Sequence, residues 1–370
     1  MKKTVIVLGA GASCDCEFPT GAGLIDEIIK FNGNWENVRT IKRIIWNSRH
    51  RILSKGLQNG LPAEASALLS SPDEKPFFEQ KNELFRQWIE LLPPFKSIDE
   101  FISLRPEYSL LAKVSIVLVL SKSEQSKFFD TGPDGINRIW YHNFFSNLVQ
   151  GIRKIEVFNT RLKSIQIITF NYDRSLEYFL RRSISAYFRI PVDEVGALPI
   201  LHVYGSIGSL ANADPHNFHP YEPVKYSEKD DRFNTGLTSK RIYNSPVPHN
   251  LDDFQKFDQY VFQLSERIET YGIDYDPVKQ QEIQASVRQA ERVYFFGFAF
   301  HSQNISILFD EYSAGMKLGN HVDGTFYKIP KEYLQRIVSL CQKHFQSGPA
   351  LNSPKEMKIK DFFEDYSLRL

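Results

Sequence analysis

The strongest constraint on the fold lies in where the apolar runs of this chain stop. Val5-Ile6-Val7-Leu8 is short and rich in β-branched residues, and it ends abruptly in Gly9-Ala10-Gly11-Ala12-Ser13. Three later runs share its character. Residues 165–170 end in Asn171-Tyr172-Asp173, residues 199–204 carry His202 and end in Gly205, and residues 292–298 end in Gly297-Phe298. Stretches with apolar residues at helical spacing separate these runs. Strands that alternate with helices build a parallel sheet, so the expected fold is α/β, a Rossmann-like doubly wound parallel sheet. Such a sheet delivers the last residues of its strands to one shared edge, where ligands bind.

The organisation along the chain is uneven. After the first turn, Leu24, Ile25, Ile28 and Ile29 fall at helical spacing, with Thr20 placed as an N-cap. Residues 34–164 change character. Segments 41–53, 82–92, 108–120 and 136–156 read as helices and alternating patterns are scarce, so a large helical insertion is expected there. Residues 165–330 read as the remainder of the α/β core. They include a helix from near Arg174, a loop-rich tract over 212–248 with a short strand at 241–243, helices over 251–271 and 280–290, and a weak last strand over 325–329. Residues 331–370 read as a helix and a tail. The helical insertion and the tail 355–370, with Phe362-Phe363, are each read as an oligomer surface, as packed core or as a solvated end.

Composition removes several classes of function. A chain of 370 residues can bury a full core. A formal charge of +1 provides no global field toward nucleic acid or an anionic membrane. Cys14, Cys16 and Cys341 are too few for a disulfide framework or a four-thiolate zinc site, and they fit a reducing, cytoplasmic setting. No apolar run approaches the roughly 20 residues that span a bilayer. Lys2-Lys3 followed by an apolar run mimics a secretory signal, but the run is shorter than the about 7–15 residues such a signal needs, and it reads as a first strand. Asp214, His216 and His219 read as solvated loop residues, and no metal is expected.

The strand ends carry the chemistry. Gly9 and Gly11 allow a backbone to approach a pyrophosphate, and exposed amides at a helix start favour the anion; the alternative is a tight turn without a ligand. Cys14 stands where the usual dinucleotide fingerprint has a third glycine, which disfavours a hydride-transfer enzyme. Asn171 and Asp173 read as ribose-binding and orienting groups, or as caps of the next helix. His202 reads as a base for a hydroxyl or water proton, or as a core histidine. Gly205 marks backbone that passes close to something, and Gly297-Phe298 reads as a ligand floor or as core.

In their order, Gly9 to Ser13, Pro19-Thr20-Gly21, Thr169-Phe170-Asn171-Tyr172-Asp173, His202 to Gly205 and Gly297-Phe298 resemble the sirtuin-like proteins. The resemblance implies that NAD is bound as substrate and its nicotinamide–ribose bond cleaved. It maps the catalytic pair onto Asn171 and His202 and the phosphate loop onto Gly9, Ala10, Gly11, Ala12 and Ser13. Pro19, Thr20, Asp173, Gly205, Gly297 and Phe298 join the pocket. Ser97-Ile98-Asp99-Glu100-Phe101 is similar to a pocket segment of prokaryotic relatives, which adds Asp99. The chain has no zinc module of the protein-deacylating sirtuins, so the resemblance points to the NAD hydrolases of bacterial anti-phage systems. Those imply a homo-oligomer and a partner such as an ATPase or a nucleic-acid-guided protein. An NAD-dependent deacylase and a non-catalytic NAD or ADP-ribose sensor remain the alternatives.

Overall fold

A computed structural model describes residues 4–79, 82–124, 139–208, 251–270, 275–309, 318–327, 329, 331–347, 356–365 and 368. The expected features at Asp214, His216, His219 and residues 241–243 lie outside them. The chain divides into two compact units. One comprises Met1–Phe18, Lys127–Val203 and Asp276–Leu370, and the other Pro19–Ser126 and Tyr204–Tyr275.

The first unit is a mixed α/β fold consistent with a Rossmann-like arrangement. Its strands are β1 (Thr4–Leu8), β2 (Ile165–Thr169), β3 (Ile200–His202), β4 (Arg292–Phe296), β5 (Leu318–Gly324) and β6 (Phe345–Ser347). All pair in parallel in the order β3-β2-β1-β4-β5-β6. β1 is buried at every residue, as a strand covered on both faces must be, which is why it is continuously apolar. The order reverses between β1 and β4, the position where parallel sheets open a crevice at their carboxyl edge. Leu8 pairs with Thr169 and Phe296, and Thr169 with His202. The last residues of four strands therefore lie at one level.

One expectation shifts here, and one open choice is decided. The strand expected over residues 325–329 is β5, which ends at Gly324. Its sequence Leu-Gly-Asn-His-Val-Asp-Gly offers little apolar alternation, and its place is set by its neighbour. Gly324 pairs with Phe295 so closely that a Cβ would meet the Phe295 carbonyl oxygen at 2.3 Å. Phe362 and Phe363 of the tail, in turn, are packed core. Helix Ile359–Asp365 buries Phe362 and Phe363, and Phe363 stacks on Trp140 at 5.7 Å and meets Phe296 at 5.4 Å. Phe363→Ala is expected to lower stability by about 3–5 kcal/mol, measured as the urea unfolding free energy, because the cavity it leaves is lined by ring faces.

The second unit is helical. Helix Ser109–Ser123 is buried from Leu110 to Leu120 on every side, the signature of a central helix. Helices Gly21–Gly33 and Leu251–Ser265 pack against it. Asp258, fully buried on the latter, accepts hydrogen bonds from Arg43 at 2.7 and 3.0 Å and from Asn47 at 2.7 Å. That clamp ties helix Leu251–Ser265 to helix Trp35–Asn47 within this unit. The helical region likewise differs from the expected 34–164. It begins at Pro19 and ends at Ser126, while helices Tyr141–Val149 and Ile155–Leu162 belong to the sheet-bearing unit. Tyr141 rests against Phe179 there, and Trp140 against Phe296. Among the described residues no helix is long and apolar enough to cross a membrane.

Candidate functional site

The exit of β1 runs directly into a 3-10 turn, Ala10–Cys16. Its glycines are required by the protein's own backbone. A Cβ on Gly9 would meet the Gly297 carbonyl oxygen at 2.5 Å, and one on Gly11 would meet Gly297 Cα at 2.9 Å. Gly297 itself has φ +59°, and its Cβ would lie 2.2 Å from the Ala12 nitrogen. The β1 and β4 exits thus touch main chain to main chain. The same contact engages the amides expected to cradle a phosphate. Gly9 N–H donates to Phe296 O at 3.0 Å, Gly11 N–H to Gly297 O at 3.1 Å, and Ala12 N–H to Gly9 O at 2.8 Å. Trp140 Nε1 holds the turn from the other side through Ala12 O at 2.7 Å.

The exit of β2 joins this turn through a buried polar chain. Asn171 Nδ2 donates to Ser13 Oγ at 2.9 Å, and Ser13 donates in turn to Asp173. Ser175 gives both its amide, at 3.0 Å, and its hydroxyl to Asp173 Oδ1, and the Tyr141 hydroxyl lies 2.7 Å from Ser175 Oγ. Burial pushes the Asp173 carboxyl above its ordinary range, while its hydrogen bonds with Ser175 and Ser13 pull it back. Burial also raises the Tyr141 phenol well above the usual value. Ser13 gives its proton to Asp173, so its oxygen takes the Asn171 amide nitrogen as donor. This fixes the amide orientation. It leaves Asn171 Oδ1 buried with no hydrogen-bond partner among the described residues. An orphaned buried acceptor costs about 1–3 kcal/mol, so it marks a place where a donor belongs.

His202 closes the arrangement. Its Nδ1 lies 2.8 Å from the Asn171 backbone carbonyl and its Nε2 contacts Glu177 Oε1. A carbonyl can only accept, so Nδ1 carries a proton, and Nε2 is the nitrogen that meets the Glu177 carboxyl group. Burial alone would lower the His202 pKa, but the charge and hydrogen bond of Glu177, the Asn171 carbonyl and the Asp173 charge together hold it above the ordinary histidine value. The surroundings of His202 therefore favour its protonated form more than water does.

Compared with known proteins, the chain matches no family model, and no curated protein or solved structure is similar to it.

The structure thus brings together Ser13, Asn171, Asp173 and His202, with Gly9, Gly11, Ala12 and Gly297 forming the turn contact beside them. Phe298 is buried among Phe170, Phe295 and Phe300, at ring distances of 5.1, 5.5 and 4.9 Å, and so serves as core. Pro19, Thr20, Asp99 and Gly205 belong to the second unit. There Thr20 accepts from Gly23 N–H at 3.2 Å as the N-cap of helix Gly21–Gly33, and Asp99 is buried in the first turn of helix Ile98–Leu104. Gly205, at φ +71°, pairs with Ile268, and a Cβ on it would lie 1.8 Å from the Arg267 carbonyl oxygen; its close neighbour is protein backbone. Glu177, Ser175 and Tyr141 escape sequence reasoning. Glu177 follows Asp173 by one helical turn, but an acid in the first turn of a helix is ordinary dipole chemistry and gives no further signal.

No nucleophilic thiol is prepared for chemistry here. Burial raises the Cys14 and Cys16 pKa values and pushes Cys341 up to about 12, so all three stay protonated at neutral pH. Among the described residues no group of three or more His, Cys, Asp and Glu side chains could hold a metal ion.

Proposed function

We propose that this chain is a sirtuin-like NAD hydrolase that releases nicotinamide and ADP-ribose. The observation that carries the reading is the orphaned Asn171 Oδ1, a buried acceptor at the carboxyl edge of a parallel sheet beside His202. A ribose hydroxyl is the donor that suits it. In the reaction the ribose C1′–nitrogen bond breaks with its electron pair leaving on nicotinamide, which neutralises the pyridinium. A water oxygen bonds C1′ of the oxocarbenium-like sugar. Above its pKa, once Nε2 has given up its own proton, His202 Nε2 takes the water proton and passes it to solvent. Asn171 holds the sugar through Oδ1, and Ser13, Asp173 and Ser175 hold Asn171 in place. Since the Gly9, Gly11 and Ala12 amides are engaged, any pyrophosphate contact at this turn falls to the donors that remain.

The same proposal includes a cytoplasmic, oligomeric effector of anti-phage defence that works with an ATPase or nucleic-acid-guided partner. Its fold is then a doubly wound sheet with a helical insertion in place of a zinc module. The bias of His202 toward its protonated form favours one second reading, a sensor that binds NAD or ADP-ribose without turnover. Chromatography of NAD incubated with the purified protein decides between them. Equal amounts of nicotinamide and ADP-ribose are expected. Calorimetric binding without either product supports the sensor, and release that needs an acylated peptide supports a deacylase.

A further inference from the structure

We propose that Glu177 is a positioning residue for His202, fixing the orientation of the imidazole and its protonation state so that the two act as one acid–base unit. Two elements impose this. The Asn171 backbone carbonyl claims the Nδ1 proton, which leaves Nε2 as the nitrogen that can exchange a proton with solvent or substrate. Helix Ser175–Phe188 begins so that its first turn sets the Glu177 carboxylate against that nitrogen. The His202 and Glu177 side chains are 13 and 17 % exposed, so the pair lies at a wet edge and can trade protons. The charged groups facing His202 are Glu177, from this helix, and Asp173, from the β2 exit, and both favour the imidazolium.

A base that must first lose its own proton works only above its pKa, so activity should rise with pH along a limb displaced above about 6.5, the ordinary histidine value. Stability runs in the opposite sense. A histidine whose folded pKa exceeds its unfolded value contributes stability that is complete below about pH 6.5 and lost as pH rises through the folded value.

The test is an NMR titration of His202, assigned from the resonance missing in His202→Gln. It is run on the wild type, Glu177→Gln and Glu177→Asp, with nicotinamide release followed at the same pH values. The wild-type midpoint should lie above about 6.5 and fall by about one unit or more in Glu177→Gln. Glu177→Asp, which keeps the charge, should restore most of the difference. The stability lost between pH 6 and 8 should shrink in Glu177→Gln. The rate limb should move toward acid with a lower plateau. An unchanged midpoint in a folded Glu177→Gln overturns the proposal, whatever the activity. The link to turnover rests on the hydrolase reading. A midpoint that moves in proteins that never consume NAD upholds the role of Glu177 and removes that reading.

Discussion

Asn171→Ala and His202→Ala are each expected to lower nicotinamide release by about a hundredfold to a thousandfold, the range for losing a preorganised polar contact or a general base. The two should fail differently. Asn171→Ala removes the amide that reaches Ser13 and the acceptor left open for a sugar hydroxyl. It keeps the backbone carbonyl that fixes His202, so its residual activity should retain the wild-type pH limb. His202→Ala removes the proton acceptor, and its residual rate should follow hydroxide rather than a titrating group. Asn171→Ala should stay folded, because the Asn171–Ser13 bond contributes only about 1 kcal/mol, and circular dichroism checks the fold of His202→Ala. Stopped time courses of nicotinamide across pH 5–9 check both, and full activity in either variant would remove the site assignment.

Gly297→Ala is expected to be strongly destabilising. The left-handed conformation costs an alanine about 1–2 kcal/mol, and the new Cβ would sit 2.2 Å from the Ala12 nitrogen and 2.4 Å from the Gly11 carbonyl carbon. Neither neighbour is a side chain that can rotate away. Relief requires the β1 and β4 exits to part, with loss of the Gly9 and Gly11 hydrogen bonds. A loss of about 4 kcal/mol or more in unfolding free energy is the expected total. Circular dichroism during thermal unfolding checks it. Gly33→Ala, where no atom lies within 4 Å of the new Cβ, is the control.

The sheet was legible because its strands are punctuated. The runs ending at Leu8, Thr169, His202 and Phe296 are apolar and stop at glycines or polar residues, and the register places those ends level. β5 was not legible, because only Val322 among its residues supplies a buried β-branched side chain, and neighbouring strands decide its course. The division into units was hidden for a related reason. Nothing local in the helix Leu251–Ser265 shows that Asp258 will meet Arg43 more than two hundred residues earlier. At the site, Asn171, Asp173 and His202 were readable as types suited to the chemistry. Their relations were not, since the free oxygen of Asn171 emerges only when Ser13 and Asp173 are placed beside it. The glycines were readable as demanding close approach, but what approaches Gly9, Gly11 and Gly205 is the chain itself.

Asn171 serves the site twice, by means that are chemically independent. Its main-chain oxygen sets the tautomer of His202, a service any amino acid at that position would perform, while its side chain alone faces the open hydrogen-bonding position. Position 171 is therefore a point where substrate preference can drift by ordinary mutation while the proton chemistry is inherited intact. A library at this residue would sample new ligands on a histidine whose state it does not disturb.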